Sequence, residues 1–435
     1  MRASQSVIPG SDEELMARRA ASLGPAYRLL YNDPVHFVRG SGVHLYDSAG
    51  EEYLDAYNNV PCIGHSHPAV ANAVSEQLRL INTNTRYLQD GVVDYAEELL
   101  ATFPPELGNV MFTCTGSEAN DLAVRVANFV TGNSGLIITE NAYHGTTAVM
   151  AGVSPSLGPG VPRPANVRLI PAPDRYMLAV SDDELREYML AHVRAAVDDL
   201  VASGYGVSAL ILDTLFSSDG ILPNPVSWIA PAAEIVRGEG GLFIADEVQA
   251  GFGRLGAGMW GFTRHGVSAD IVTMGKSMGN GYPVAAAVFR PELLEEFGPT
   301  VRYFNTFGGS SAAISAAAAV LHTIKNEDLV AHSKVLGYQI RTEVQSLASS
   351  DPRIGCVRGQ GLALGVAFVS QEGTRVPDPA LASRVVNAMR EKHVLISASG
   401  ADGNVLKIRP PLVFGREDGA RLVEVLAEVL DATRD

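Results

Sequence analysis

The sequence predicts an α/β protein: a larger unit on a mostly parallel sheet covered by helices, and a smaller α+β unit assembled from both chain ends. Three observations carry this. From about residue 90, short apolar runs such as ALILDT (209–214) and GLFIAD (241–246) alternate with helical patterns, as strands buried on both faces require. Residues 35–56 alternate apolar and polar side chains around Gly40, Gly42 and Gly50, the pattern of antiparallel strands. The last 85 residues read strand, strand, helix, strand, strand, helix. The expected division places residues 1–65 and 329–435 in the smaller unit and 66–328 in the larger, within the range that 435 residues allow.

In chain order, the polar first 30 residues read as an N-terminal helix, and another helix follows near 68–80. Asp90–Phe103 is helical, NVMFTC (109–114) a strand, Ser117–Val130 an amphipathic helix and GLIITE (135–140) a strand. Asp182–Ala202 reads as a long helix before the 209–214 strand, and a helix near 229–237 precedes the 241–246 strand. IVTM (271–274) and VAAAVF (284–289) are strands. An Ala-rich helix begins near Ser310, a second runs over about 327–349, and the last two lie near 379–392 and 416–432.

Composition excludes several function classes. Lys+Arg minus Asp+Glu is 33 − 48 = −15, against nucleic-acid and anionic-membrane partners, which need a basic face. The three cysteines, Cys62, Cys114 and Cys356, are widely spaced without a CxxC, so neither a disulfide framework nor a cysteine zinc site is expected, and a cytoplasmic setting fits. The N-terminal MRASQSVIPGSDEELMARRA lacks an apolar core, so no signal peptide is expected. The uncharged stretch 303–324 is interrupted by Asn305, Thr306, Ser310, Ser311 and His322 and is not read as a membrane span.

Several motifs carry chemistry. CTGSEANDLAVRVA (114–127) runs strand, turn, helix and sets Gly116 and Ser117 at a helix N-terminus, where free N–H groups and the helix dipole favour a phosphate. Its plain alternative is an N-cap serine with Glu118 in the first turn. AYHG (142–145) follows a strand end, so Tyr143 could stack on a flat ring there, or belong to the core. GLFIADEVQ ends a strand on Asp246, placed for a cationic ring nitrogen, or, with Glu247, as a solvated loop acid. Lys276 stands among glycines between two strands, in a chain with only five lysines among 33 basic residues. Such a dry lysine can have a lowered pKa and form a Schiff base with an aldehyde. The other lysines look less suited: Lys325, Lys334 and Lys392 fall on or beside charged helices, and Lys407 sits in a strand beside Arg409.

Two competing motifs have poor context. GFGRLG (251–256) matches a dinucleotide fingerprint with Asp270 downstream, but EVQA separates it from the strand and no helix pattern follows. His65 and His67 form an HxH without a visible third ligand, so no metal is expected. Together, the phosphate site, stacking aromatic, carboxylate and isolated lysine, in order and at strand ends, match the needs of pyridoxal 5′-phosphate.

With TGSEAND, AYHG, DEVQAGFGR, MGKSMGNGYP, NTFGG and LKIRPPL in this order, the sequence resembles the class III aminotransferases of the fold-type I pyridoxal-phosphate superfamily, from about residue 25 to 432. The resemblance implies the seven-stranded large unit of that fold. It implies that Gly116 and Ser117 hold the cofactor phosphate, that Tyr143 and Val248 cover the two ring faces, that Asp246 pairs with the ring nitrogen and that Gln249 lies near the ring hydroxyl. Lys276 would carry the cofactor as a Schiff base and shuttle the proton. Thr306 would reach the phosphate of a neighbouring subunit, implying a homodimer with shared sites, and Arg409 would receive a substrate anion.

Two departures concern the substrate. DTLFSSDGILP (213–223) stands where the family often has Glu-Pro-Val-Gln-Gly, so that Asp213 replaces Glu and Phe216 replaces Gln, and Ser310-Ser311 replaces Asn-Pro. YNNV (57–60), NTNTRYL (82–88) and NVLKIRPP are also similar to the phospho-lyases of O-phosphoethanolamine and phosphohydroxylysine, in which Arg86 and Arg409 would bind phosphate and Asn59 would lie near the substrate. The favoured activity is amino transfer between an amine or amino acid, of omega type, and a 2-oxo acid such as pyruvate; phosphate elimination is the alternative.

Overall fold

The structure is a computed structural model that describes residues 11–371 and 373–434. The first ten residues, where no signal peptide is expected, lie outside the described residues. The N-terminal helix spans Asp12–Leu23, and the Ser11 hydroxyl caps it by accepting from Glu14 N at 3.2 Å.

Strands β1 (Phe37–Ser41), β2 (His44–Asp47) and β3 (Glu52–Asp55) form the expected antiparallel meander. The central sheet contains β4 (Asn109–Thr113), β5 (Gly135–Thr139), β6 (Val167–Ile170), β7 (Val207–Asp213), β8 (Leu242–Asp246), β9 (Ile271–Met274) and β10 (Ala285–Phe289). Its order is β4-β10-β9-β8-β7-β5-β6, seven strands as the resemblance implies. Only β10 runs antiparallel to its neighbours.

Side-chain alternation explains why these strands read as unbroken apolar runs. Leu210 and Leu212 of β7 join one core with Val193 and Val197 of the helix Asp182–Ala202. Ala209 and Ile211 join a second core on the other face, with Leu122, Ala123 and Val126 of the helix Gly116–Thr131. A period-2 strand between two helical layers must be apolar at every position. The long helix starts where its sequence says it should: Ser181 Oγ accepts from Glu184 N at 3.2 Å and Glu184 Oε2 accepts from Ser181 N at 2.8 Å.

The C-terminal third contributes β11 (Ile354–Gln360), β12 (Ala363–Phe368), β13 (Val394–Leu395), β14 (Ser397–Ser399) and β15 (Val405–Ile408). Three short strands therefore stand between the last two helices, where two were expected. The extra one, β13, leaves the β11-β12-β15-β14 sheet and pairs in parallel with β3. The helices Ala148–Gly152 and Pro291–Thr300 and the strand β6 were also not anticipated. In the second helix Gly298 and Pro299 read as breakers, yet they occupy only its last turn. No helix among the described residues is long and apolar enough to cross a membrane.

Since β4 and β5 run in the same direction as β7, β8 and β9, their carboxyl ends share one edge of the sheet. Asp213, Asp246 and Thr273 lie side by side there in register. Ligands bind at this edge in open α/β sheets.

Candidate active site

A pocket of about 190 Å³ opens at that edge, lined by residues following five strands. Thr115, Gly116, Ser117 and Asn120 follow β4; Tyr143, His144 and Gly145 follow β5; Asp213 ends β7; Asp246, Val248 and Gln249 end or follow β8; Lys276 follows β9. The volume lies below the roughly 300–1,000 Å³ of drug-sized pockets, as suits a single substituted ring.

The phosphate end is built by close approach. A Cβ on Gly116 would lie 2.9 Å from Val248 Cγ2, and one on Gly145 (φ +143°) 2.5 Å from Ser117 Oγ. Glycine at both positions allows this close approach. The N-cap is Thr115, whose hydroxyl accepts from Glu118 N at 3.2 Å. Ser117 is thus the second helical residue and not a capping serine; its hydroxyl accepts from Thr146 N at 3.1 Å. That leaves the hydroxyl hydrogen and the free N–H groups of the first turn for an anion.

Asp246 is buried within a polar network that the sequence reading missed. Its Oδ2 accepts from His144 Nδ1 at 2.7 Å and from Asn120 Nδ2 at 2.9 Å, and its Oδ1 accepts from Val248 N at 3.0 Å. Asn120 Oδ1 in turn accepts from Thr273 Oγ1 at 2.5 Å. The carboxylate is held by donors on its inner side, which suits it to face a cationic ring nitrogen. His144 lies inside the quoted AYHG motif, but only Tyr143 had been given a role.

Lys276 Nζ lies 5.8 Å from the centre of the Tyr143 ring. Burial lowers the Lys276 pKa from the ordinary lysine value; Asp246 opposes the shift and the charge of Arg409 adds to it. Arg409 is fully buried; its Nη1 donates to Gln249 Oε1, and its guanidinium stands 5.3 Å from the Tyr57 ring centre. Its Nε is a buried donor without a partner. Lys407, set aside in the sequence reading, is buried on the same strand end, and burial and Arg409 push its pKa well below the ordinary value. The signal was available: Lys407 stands two residues before Arg409 in an otherwise apolar segment.

Other expectations separate. Asn59 is buried; its carbonyl accepts from Ser277 Oγ at 3.4 Å, and its Nδ2 has no partner. Arg86 is exposed, 3.7 Å from the Phe304 ring centre, in a groove that shares no lining residue with the pocket. Thr306 is exposed as well. Phe216, which replaces Gln, takes φ +52° and is buried, 5.8 Å from the Trp228 ring, and does not line this pocket. The GFGRLG segment forms turns, not a phosphate loop. A Cβ on Gly256 would lie 2.5 Å from the Lys334 backbone, and Arg254 donates to the carbonyls of Leu362 and Pro410. His65 Nε2 bonds Asp55 Oδ2 at 2.7 Å, and no group of three His, Cys, Asp or Glu suited to a metal is found among the described residues.

Glu247, beside Asp246, is not a solvated loop acid. It is buried and accepts from Thr214 Oγ1 at 2.8 Å, Gly261 N at 2.7 Å and Phe262 N at 2.7 Å. Burial pushes its pKa up to about 7. The folded state therefore holds a proton that the unfolded chain releases near the ordinary carboxylate value, so this group's stabilisation is lost as pH rises through about 7. Glu247→Gln is expected to destabilise the apoprotein at pH 5.5 and to do so less at pH 8, measured by urea unfolding; equal losses would place the Glu247 pKa elsewhere.

The cofactor that the resemblance implies fits this donor set: a glycine cradle at a helix N-terminus, a buried oriented carboxylate and a lysine beside an aromatic face. The family model described as "Aminotransferase class-III" matches residues 30–430. The alanine–glyoxylate aminotransferase 2-like protein of Drosophila melanogaster is 38% identical, over 97% of this chain and 88% of that protein. The ethanolamine-phosphate phospho-lyase homolog 1 of Caenorhabditis elegans is 37% identical, over 97% and 94%. A phospholyase from Arthrobacter, solved in complex with phosphoethanolamine, is 46% identical with a TM-score of 0.94, over 96% of this chain and 99% of that one.

Proposed function

Because this chain belongs to the class-III aminotransferases, we propose that it is a pyridoxal-phosphate enzyme acting on a small primary amine, and that it eliminates phosphate from an O-phosphoethanolamine-like substrate. Bound in the pocket, the cofactor supplies an aldehyde for the amine and an electron sink for the pair left when a proton departs. Gly116 and Ser117 hold its phosphate, Tyr143 and Val248 flank its ring, and Asp246 faces its nitrogen. Gln249 lines the same pocket and holds Arg409.

Lys276 takes the proton from the carbon bearing the amino group. Its lowered pKa favours the free amine that this step needs. The bond from the next carbon to the phosphate oxygen then breaks, and phosphate leaves with the electron pair. Water completes the reaction, giving ammonia, an aldehyde and phosphate without a 2-oxo acid. The likeness to the phospholyase solved with phosphoethanolamine, 46% identical over nearly the whole of both chains, carries the reading, and buried Arg409, with its unpartnered Nε, supplies an anchor for the departing dianion. Lys407, two residues earlier, is held toward its neutral form by burial and by Arg409, so the anchoring charge is that of Arg409.

Amino transfer, favoured by the sequence and by the family's name, is the second reading; the Drosophila relative named for it supports it. It uses the same residues, with Lys276 returning the proton to the cofactor side and Arg409 receiving a carboxylate. A paired assay on the holoenzyme separates the two. O-phosphoethanolamine without a 2-oxo acid is expected to release phosphate, and amines with pyruvate to give no alanine; alanine without phosphate would establish the transferase. Arg409→Ala is expected to raise KM for O-phosphoethanolamine by about 30-fold or more, because a buried charge contact is lost. An unchanged KM would remove Arg409 from the substrate site.

We also read the chain as a homodimer in which Thr306 reaches the partner's cofactor phosphate. Exposed Leu80, Leu88, Phe304 and Phe307 on neighbouring segments support it, since such apolar groups together mark an interface. The groove at Arg86 belongs to the same face, so Arg86 would serve the partner's site. A cytoplasmic setting is consistent with three free cysteines.

A further inference from the structure

A second cavity, an open cleft of about 930 Å³, lies apart from the active site and shares no lining residue with it. Its walls are residues 173–183 after β6, the 222–227 segment, one side of the helix Leu329–Ala348, and β11. Four arginines face it, Arg175, Arg341, Arg358 and Arg375, against three aspartates, in a chain whose net charge is −15. Two of the arginines are matched: Arg175 to Asp182 at 2.7 Å and Arg358 to Asp174 at 2.8 Å.

Arg341 and Arg375 have no carboxylate within 4 Å among the described residues. Arg341 Nη1 donates to Gly359 O at 2.7 Å, which fixes one side of its guanidinium. Arg375 stands 5.5 Å from the centre of the Tyr176 ring, a half-buried aromatic face inside the cleft. A fixed guanidinium fork and a second arginine beside a flat ring are suited to phosphate oxygens, which Arg binds bidentately. The third aspartate, Asp183, sits in the first turn of the helix Asp182–Ala202, where the helix dipole favours its charge.

We propose that this cleft is a binding site for a small phosphorylated anion, held by Arg341 and Arg375 and distinct from the catalytic pocket. Its volume lies within the range of small-molecule sites. Arg358 links it to the catalytic edge, because its Nε donates to Gly220 O at 3.0 Å, next to Asp219. Asp219 is buried beside Asp213, and burial pushes its pKa up to about 7. The cavity shares no lining residue with the pocket that holds Lys276, so an anion bound here does not occupy the catalytic site.

The test is calorimetric titration of inorganic pyrophosphate onto the holoenzyme. One molecule is expected to bind per chain, more weakly as salt rises. Arg341→Ala/Arg375→Ala is expected to weaken binding at least tenfold while kcat/KM stays within about twofold, since each lost charged contact removes about 1.5 kcal/mol or more. Both side chains are at least partly exposed, and an unchanged melting temperature would verify that the variant folds. Arg341→Glu gives an independent second reading of the same site. No binding by the wild type, or equal binding by the double variant, overturns the proposal. So does binding that persists in the double variant and disappears in Arg409→Ala, which would place the anion in the catalytic pocket.

Discussion

Lys276→Ala is expected to abolish turnover on every substrate, by at least ~10⁴-fold in kcat, and to remove the visible absorption band of the cofactor-loaded protein. Lys276 is the only lysine lining the cofactor pocket, and it lies beside the aromatic face that would cover the ring. Both outcomes of the chemistry, elimination and transfer, begin with its proton abstraction, so the variant tests the site and not the choice of substrate. The apoprotein is not expected to lose stability. Burial lowers the Lys276 pKa, so below the unfolded lysine value the folded chain resists a proton that the unfolded chain holds, and removing the amine relieves that cost. An active variant that keeps the band would transfer the role to the other buried amine, Lys407.

The second large effect is expected at Asp246. Asp246→Asn should retain cofactor, because the Gly116 and Ser117 cradle is untouched, yet lose about 10²–10⁴-fold in kcat. The hydrogen bonds explain the severity. Asp246 receives donors from His144, Asn120 and Val248, so every inner position expects an acceptor. An amide must turn its NH₂ either against one of these donors or toward the cofactor. The first choice breaks the network, and the second replaces the negative charge opposite the ring nitrogen with a donor. An unchanged kcat would show that the carboxylate does not face the nitrogen.

The parts of this protein legible in its sequence are those governed by local rules. Apolar runs marked the central strands because both faces are buried, and the helix Asp182–Ala202 was read with the bounds the structure gives it. Lys276 was found because lysine is scarce and its surroundings uncharged. What escaped depends on distant contacts. β13 is two residues long and exists only because β3 lies beside it. His144, Asn120 and Thr273 look ordinary in sequence; only folding brings them to Asp246. The burial of Phe216 was not legible because its left-handed backbone, at φ +52°, has no local sequence signal. Asp213, by contrast, was placed where its motif position said, at the pocket edge.

The pairing of β13 with β3 has a consequence for how the chain is made. Asp55 caps the loop that carries Tyr57 and Asn58, accepting from their backbone N–H groups at 3.1 and 2.9 Å. The strand it ends is completed by Val394 and Leu395, and Arg409 N and Leu412 N bond to Ala56 O and Cys62 O at 2.8 and 2.6 Å. During synthesis, residues 52–62 therefore wait for partners more than 300 positions away. Contacts of such sequence separation form late, because closing the intervening chain costs entropy before any contact repays it. All seven strands of the central sheet precede residue 300, whereas the segment 52–62 gains these partners only as the last part of the chain emerges. A nascent chain stalled short of residue 412 would thus have the lysine and the acid in place beside a catalytic edge left open to water.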